Sequence, residues 1–309
     1  MLVDELPEVT GAPARRWLVL SAVGFAVAVL VYLAAVWTTA GQLLENAALR
    51  GADQVDRGES DTAWQALGDI TVYSLAAAVV LVALVGVLRK RWDLAIAAVA
   101  VVVGGQLVVQ VLKRFVLVRP HLVEVTGDYA HNSLPSGHTT IAMTVLFAAL
   151  IVVPYRWRGV LLFFLLPWAV GIGQYTLTAK WHRLSDTLAA DAIALALAAL
   201  ASWWLARRGA LHRHSGSRKV GRVVLVVFWA FSGVVALALG AVLWGAPLVR
   251  EGLAATTSDY DWVIYLGATS FASAGSIITA LVFLATWRRV DTESPRSALP
   301  DQRCAAPLG

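Results

Sequence analysis

Long apolar runs, separated by short polar or charged connections, recur along the whole chain. The hydrocarbon core of a bilayer is about 30 Å thick, and a helix of about 20 apolar residues crosses it. The runs of about this length lie at residues 17–38, 65–88, 93–117, 138–154, 159–178, 185–206, 223–246 and 263–286. The pattern therefore predicts an all-α fold, a polytopic membrane helix bundle with about eight transmembrane helices.

The distribution of basic residues predicts the orientation of these helices. Most of the 25 Lys and Arg residues lie in alternate connections, such as 89–91 and 207–222. Because Lys and Arg concentrate in cytoplasmic loops, both termini are predicted to lie on the cytoplasmic side of the cell membrane. The predicted divisions are a cytoplasmic N-terminal tail (1–16), a transmembrane core (17–206), a basic cytoplasmic linker (207–222), two additional helices (223–286) and a polar cytoplasmic tail (287–309). Residues 39–62 are interpreted as a polar outer loop.

Composition narrows the class of protein. Of the 309 residues, 59% are hydrophobic and 15% are charged, which excludes an ordinary soluble domain and a disordered chain. The net charge of +5 is divided among short clusters between apolar runs, so no nucleic-acid partner is predicted. Cys304 is the single cysteine, which excludes an intramolecular disulfide and a cysteine-based metal site.

Two outer connections carry basic residues against this topological bias. They lie at the third-to-fourth and fifth-to-sixth connections and comprise Lys113, Arg114, Arg119, Lys180 and Arg183. Such a cluster favours a bound anion. The alternative is that these long side chains extend from helix ends to the membrane interface.

The sequence Pro135-Ser136-Gly137-His138 stands where a loop enters the fourth predicted helix. Ser136 is a typical N-cap, Gly137 allows close approach of a ligand to the backbone, and a helix N-terminus favours an anion. These features predict a phosphate-binding turn. A plain N-cap followed by an incidental histidine is the alternative.

His182 and Asp186 are four residues apart at the start of the sixth predicted helix. In a helical turn Asp186 can accept the N–H of one imidazole nitrogen and leave the other nucleophilic. Alternatively, Asp186 caps the helix and His182 lies at the interface. Lys113 and Arg119, on the same predicted side, could offset the charge of a transferring phosphoryl group.

Three segments of the sequence resemble, in order, the three motifs of the type 2 phosphatidic acid phosphatase (PAP2) family. They are Lys113 to Pro120, the PSGH sequence at 135–138, and His182 with Asp186. The resemblance covers roughly residues 65–206 and implies a PAP2-like six-helix core that includes the first helix.

The resemblance also implies a role for each motif residue. His182 would be the nucleophile that forms a phosphohistidine, with Asp186 orienting it, and His138 would protonate the leaving alcohol and then activate water. Lys113, Arg119, Ser136 and the Gly137 backbone N–H would hold the phosphoryl oxygens. The implied mechanism uses no metal and no cofactor.

Two departures from the family pattern are visible. Five residues separate Lys113 from Arg119, where the family usually has six, which predicts a displacement of Lys113 by a helical step. In the third motif Tyr175 and Thr176 stand where the family has Ser-Arg, so a phosphate-binding arginine is missing. Lys180 and Arg183 are the nearest replacements, and Arg183 is the favoured one.

The sequence thus predicts an integral membrane phosphatase. It would hydrolyse a lipid phosphate or diphosphate at the extracytoplasmic face, with a polyprenyl phosphate or a polyprenyl-linked sugar phosphate favoured. His131 and Asn132 are candidate headgroup contacts, whereas Asp128 and Tyr129 fit a surface turn. Two alternatives stay open, namely a lipid phosphotransferase and a non-catalytic lipid-phosphate binder or transporter with a degenerate third motif.

Overall fold

The computed structural model describes residues 12–124, 131–213 and 220–292. Ten α-helices and two short strands make up the regular structure of these residues. In chain order they are α1 (Ala12–Val36), α2 (Thr39–Gly51), α3 (Arg57–Gly68), α4 (Val72–Leu88), α5 (Trp92–Val111), α6 (Gly137–Val152), α7 (Arg158–Thr178), α8 (Leu184–Arg207), β1 (His212–Arg213), α9 (Val220–Asp259), α10 (Asp261–Thr286) and β2 (Val290–Asp291). Short 3-10 turns cover Ala52–Gln54 and Tyr155–Trp157, and a π-helical turn covers Leu112–Val116.

The prediction of an all-α polytopic membrane bundle is confirmed. Within the described residues, six helices are long and apolar enough to cross a membrane: α1, α5, α7, α8, α9 and α10. The broken pair α3–α4 passes the same test as a seventh span, and α6 is a shorter apolar helix. These elements correspond to the eight apolar runs of the sequence.

Three predicted boundaries are wrong. The apolar run 65–88 is not one straight helix, because the chain bends by 60° between α3 and α4. Thr71 and Ser74 form a reciprocal capping box there, which satisfies the first backbone N–H groups of α4 and starts a new helix. The predicted loop 39–62 is largely helical. It contains α2, which buries one polar face against the bundle. The run 223–246 belongs to α9, which continues to Asp259 through a break at Gly252.

Helix α8 is the central helix of the bundle, in contact with α1, α5, α6 and α10. Small residues allow this close packing, and many of the buried positions of α8 are alanine. On the facing helix, a Cβ atom at Gly24 would lie 2.8 Å from the Ala192 carbonyl oxygen. The inner face of α8 also buries Asp191, whose Oδ2 accepts a hydrogen bond from Ser276 of α10 at 2.9 Å.

The basic connections predicted to share one side meet at one end of the bundle. Arg89 donates to the carbonyl of Val152 at the end of α6, and Arg158 donates to the carbonyls of Leu150 and Val290. Strands β1 and β2 pair antiparallel at this end. We call it the basic end, and α6 and α8 both begin at the opposite end.

Candidate active site

At the end of the bundle opposite the basic end, the start of α6 meets the turn between α7 and α8. The Ser136 backbone N–H donates to the Asp186 carbonyl oxygen at 2.9 Å, which ties the two segments together. The structure therefore places the second and third motifs of the sequence side by side, although about 45 residues separate them along the chain.

His182 and Asp186 form a buried pair on one face of the first turn of α8. His182 Nδ1 lies 3.0 Å from Asp186 Oδ2. The carboxylate is an acceptor, so this contact assigns the proton to Nδ1 and leaves the lone pair on Nε2. The arrangement can present Nε2 as a nucleophile of fixed orientation.

Asp186 Oδ2 is also held by two other donors. The Ser133 hydroxyl donates to it at 2.5 Å, and the Arg183 backbone N–H donates at 3.0 Å. The guanidinium of Arg183 in turn donates to Ser133 Oγ at 3.0 Å. This network fixes the carboxylate that orients His182.

Burial decides the protonation of His182. Removal from water lowers the pKa of His182 below its ordinary value, and the hydrogen bond with Asp186 opposes this effect without reversing it. The imidazole is therefore neutral at pH 7, which is the form that can act as a nucleophile.

Arg119 lies next to this pair in an ion pair with Glu45 of α2. Arg119 Nη1 is 3.2 Å from Glu45 Oε2, and the two side chains are 4% and 3% exposed. Glu45 Oε1 accepts a second hydrogen bond from the Ser185 backbone N–H at 3.1 Å. Burial raises the pKa of Glu45, and the nearby charge of Asp186 raises it further. Arg119 Nη2 is buried and has no hydrogen-bond partner among the described residues.

Lys113 lies in the π-helical turn that ends α5, where the Leu117 N–H bonds to the Leu112 carbonyl at 2.8 Å. It is half-buried and interacts electrostatically with Asp186, His182 and His138. A π turn changes the direction of successive side chains relative to an α-helix. Lys113 therefore reaches the site even though its spacing to Arg119 departs from the family pattern.

His138, the second residue of α6, lies close enough to His182 to interact with it electrostatically. Its ring packs against Trp181 at 5.2 Å between centroids, and Trp181 packs against Trp64 of α3 at 4.9 Å. These aromatic contacts hold the His138 ring against the α7–α8 turn that carries His182.

Ser136 and Gly137 have different roles in the structure. The Ser136 hydroxyl accepts from the Thr139 N–H at 3.3 Å, so Ser136 is the N-cap of α6. Its own N–H is bonded to Asp186, as described above. A Cβ atom at Gly137 would lie 3.9 Å from the side chain of Gln110, an ordinary van der Waals contact, so the backbone here is not crowded.

The structure distinguishes the two candidate replacements for the missing arginine. Thr176, at the position of that arginine, is buried and donates to the Gly173 carbonyl. Lys180 forms an ion pair with Asp53 at 2.6 Å. Arg183 is buried beside Arg119, Glu45 and Asp186. Of the two replacements, Arg183 is therefore the one joined to the His182–Asp186 network.

The candidate headgroup contacts are not all brought into the site. His131 is exposed. Asn132 donates to the carbonyls of Leu117 and Leu134, both at 3.2 Å, and so joins the first-motif and second-motif segments. Asp128 and Tyr129 lie outside the described residues.

An apolar groove of about 480 Å³ begins one helical turn after His138. Ile141 and Val145 of α6 line one side, and Trp168 and Tyr175 of α7 line another. The broken pair α3–α4 completes the groove with Ile70, Ser74 and Leu75 among others. The bend between these helices thus opens a half-enclosed apolar space beside the site.

Three side chains of this site are not predicted by the sequence patterns. Glu45 was assigned to a polar loop, and only the amphipathic pattern of residues 39–51 could have indicated that its side chain is buried. Ser133 lies two residues before the PSGH motif, and no spacing rule connects it with Asp186. Trp181 is adjacent to His182 in the sequence, but its contact with His138 depends on the tertiary structure.

The fold and the site define a polytopic membrane protein with a buried histidine–aspartate pair and a cluster of cations at one end. The PAP2 superfamily model matches residues 93–210, which span α5 to α8. The match begins later than the resemblance inferred from the motifs, so α3 and α4 lie outside it. No curated protein and no solved structure matches the chain.

Proposed function

We propose that this protein is an integral membrane phosphatase that hydrolyses a lipid phosphate or diphosphate through a phosphohistidine intermediate. One observation carries the proposal: a His182 imidazole oriented by Asp186 lies among Arg119, Arg183 and Lys113 and next to a second histidine, His138. A nucleophile, cations for the phosphoryl oxygens and a proton-transfer group are the parts that metal-independent phosphoryl transfer requires.

In the first step, Nε2 of His182 attacks phosphorus, and the bond from phosphorus to the leaving oxygen breaks. The anionic phosphate of the bound substrate favours the protonated form of His138, which gives its proton to that oxygen, so the lipid alcohol or lipid monophosphate leaves neutralised. Asp186 stabilises the positive charge that develops on the His182 ring. Lys113, Arg119 and Arg183 neutralise the phosphoryl oxygens, with the Gly137 N–H as a further donor.

In the second step, neutral His138 takes a proton from water, and the oxygen attacks the phosphohistidine. The nitrogen–phosphorus bond breaks, inorganic phosphate leaves, and His182 returns to its starting form. His138 keeps the proton for the next leaving group. The step balances with water as the only co-reactant.

The groove beside His138 supports a substrate with a long apolar chain. Its lining by α4, α6 and α7 is largely aliphatic and aromatic, and it begins one turn from the reacting groups. A polyprenyl or acyl chain in this groove keeps its phosphate at the site. We favour a polyprenyl phosphate or diphosphate, or a polyprenyl-linked sugar phosphate, processed at the extracytoplasmic face, since basic residues concentrate at the opposite end.

The test is release of inorganic phosphate by purified protein in detergent with EDTA present. Polyprenyl diphosphate, phosphatidic acid and phosphatidylglycerophosphate are offered in parallel, and His182→Ala and His138→Ala are the comparison variants. We expect phosphate release from at least one lipid, loss of release in both variants, and an acid-labile, base-stable phosphoryl adduct on the wild-type protein after rapid quenching.

Two outcomes contradict the proposal. Phosphate release that persists in His182→Ala shows that another group is the nucleophile. Radiolabelled phosphoryl groups that appear in a new organic product, with no free phosphate, identify a phosphotransferase instead.

A further inference from the structure

A second cavity lies at the basic end of the bundle, at the opposite end from His138 and His182. Its volume is about 350 Å³, and it lies between the start of α9, the end of α10 and the turn before α7. Its charged lining residues are Arg158, Arg222 and Arg288, and no acidic residue is among the described residues that line it. The PAP2 mechanism uses none of these side chains.

Two of these arginines, Arg158 and Arg222, are held by the protein in a way that keeps their charge in place. The Arg222 guanidinium lies 3.8 Å from the centroid of the Tyr155 ring and donates to the Tyr155 carbonyl. The Arg158 guanidinium lies 4.5 Å from the Trp287 ring centroid. Aromatic faces and carbonyl oxygens attract the guanidinium groups without neutralising them.

One donor of this group has no partner. Arg158 is 1% exposed, its Nε and Nη1 donate to carbonyl oxygens, and its Nη2 has no hydrogen-bond partner among the described residues. Asp291 lies near Arg158 and offsets part of its charge, but it does not line the cavity and is not hydrogen-bonded to Nη2. A buried donor without an acceptor costs free energy, which an anionic oxygen in the cavity would recover.

The rest of the lining is aliphatic. Val223, Val226 and Val227 of α9 face Leu281 and Leu284 of α10 across the cavity. Val223 and Val227 are also exposed on the outer surface of a membrane-spanning helix. The cavity therefore joins a positively charged end to an apolar wall that continues along the membrane.

We infer that this cavity binds one molecule of an anionic glycerophospholipid, with its phosphate against the three arginines and an acyl chain along α9 and α10. The positive charge of the arginines selects an anionic headgroup, and the aliphatic wall accommodates an acyl chain. The site is separate from the catalytic one and does not depend on the proposed reaction.

The test counts lipids retained by the purified full-length protein in native mass spectrometry, after titration with phosphatidylglycerol or with phosphatidylcholine. We expect one tightly bound phosphatidylglycerol and no comparable phosphatidylcholine. An arginine near an anionic lipid contributes about 1 kcal/mol, so the double variant Arg222→Gln/Arg288→Gln should lower the affinity about 30-fold. Arg289→Gln is the matched control, because Arg289 is adjacent and exposed but does not line the cavity.

A second variant separates lipid binding from a loss of folding. Val227→Trp keeps all three arginines and fills the apolar part of the cavity, so it should also abolish retention of the lipid. Unchanged thermal unfolding of each lipid-free variant shows that it is folded. The inference is overturned by equal phosphatidylglycerol retention in the double variant, by equal phosphatidylcholine binding, or by glycerol 3-phosphate competing as well as the intact lipid.

Discussion

Arg119 Nη1 lies 3.2 Å from Glu45 Oε2, and both side chains are buried at the end of the bundle that carries His182. Glu45 also accepts the Ser185 N–H, so one carboxylate from α2 connects the first-motif arginine with the start of α8. The amphipathic helix α2 is thereby part of the construction of the site. We assign to Glu45 the role of positioning Arg119.

Loss of the Glu45 carboxylate is expected to destabilise the protein. Removing one partner of a buried ion pair leaves the other charge uncompensated, so Glu45→Ala should lower the free energy of unfolding by about 3–5 kcal/mol. Glu45→Gln keeps an acceptor for Ser185 and should lie between the wild type and Glu45→Ala. Chemical denaturation in detergent measures both.

Asp53→Ala provides the comparison for this ion pair. Asp53 pairs with Lys180, and its side chain is 61% exposed. An exposed ion pair contributes only about 0–1 kcal/mol, so this variant should unfold almost like the wild type. Equal losses at positions 45 and 53 would show that burial does not control the strength of these pairs.

The Asp186 carboxylate should matter for turnover and little for substrate binding. Asp186→Asn removes the acceptor that sets the tautomer of His182, and a loss of about 10³–10⁴-fold in kcat is expected, with a small change in KM. Steady-state kinetics with the preferred lipid measure both constants. Asp191→Asn is the control, because Asp191 is also a buried carboxyl group of α8 but bonds to Ser276. A comparable kcat loss in Asp191→Asn would contradict the assignment.

The pH profile of kcat/KM should follow the lowered pKa of His182. The nucleophile must be neutral, and burial lowers its pKa below the ordinary value of 6.5, so activity should persist below pH 6.5 and fall only at more acidic pH. Because the contact with Asp186 raises this pKa, Asp186→Asn should move the acid limb to still lower pH. An acid limb centred above pH 6.5 would exclude His182 as the group that titrates.

Arg183 is expected to replace the arginine that the third motif lacks. Loss of one donor to a transition-state oxyanion typically costs about 2.7–4 kcal/mol, so Arg183→Ala should lower kcat about 10²–10³-fold. Arg183→Lys should recover part of the rate, since it restores the charge without the planar fork. Lys180→Ala, three residues away and paired with Asp53, should stay within about twofold of the wild type. If Lys180→Ala is the more damaging variant, the assignment is reversed.

The groove beside His138 should discriminate substrates by chain length. Ile141→Trp narrows it and is expected to raise KM for a long polyprenyl phosphate, with little effect on a short-chain phosphate that does not reach the groove. Ile96→Trp makes the same change on an exposed, lipid-facing position of α5. Equal effects on long and short substrates would mean that the chain binds elsewhere.

The sequence by itself determined the class of fold and most of the residues that meet at the candidate site. Apolar runs of bilayer length specify membrane helices whatever their packing, which is why the eight runs correspond to helices in the structure. His182 and Asp186 were recognisable because residues four apart share a helix face, and Ser136 because an N-cap is a local feature. Each of these signals depends on neighbours within a few residues.

Only the tertiary structure decided what lies around them. Glu45 and Ser133 contact the motif residues across long stretches of chain, and side chains brought together by packing leave no periodic signal in the sequence. The bend between α3 and α4, which opens the groove, depends on a capping box inside an apolar run. The choice of Arg183 over Lys180 likewise required coordinates, because two cations three residues apart point to different partners once the α7–α8 turn has folded.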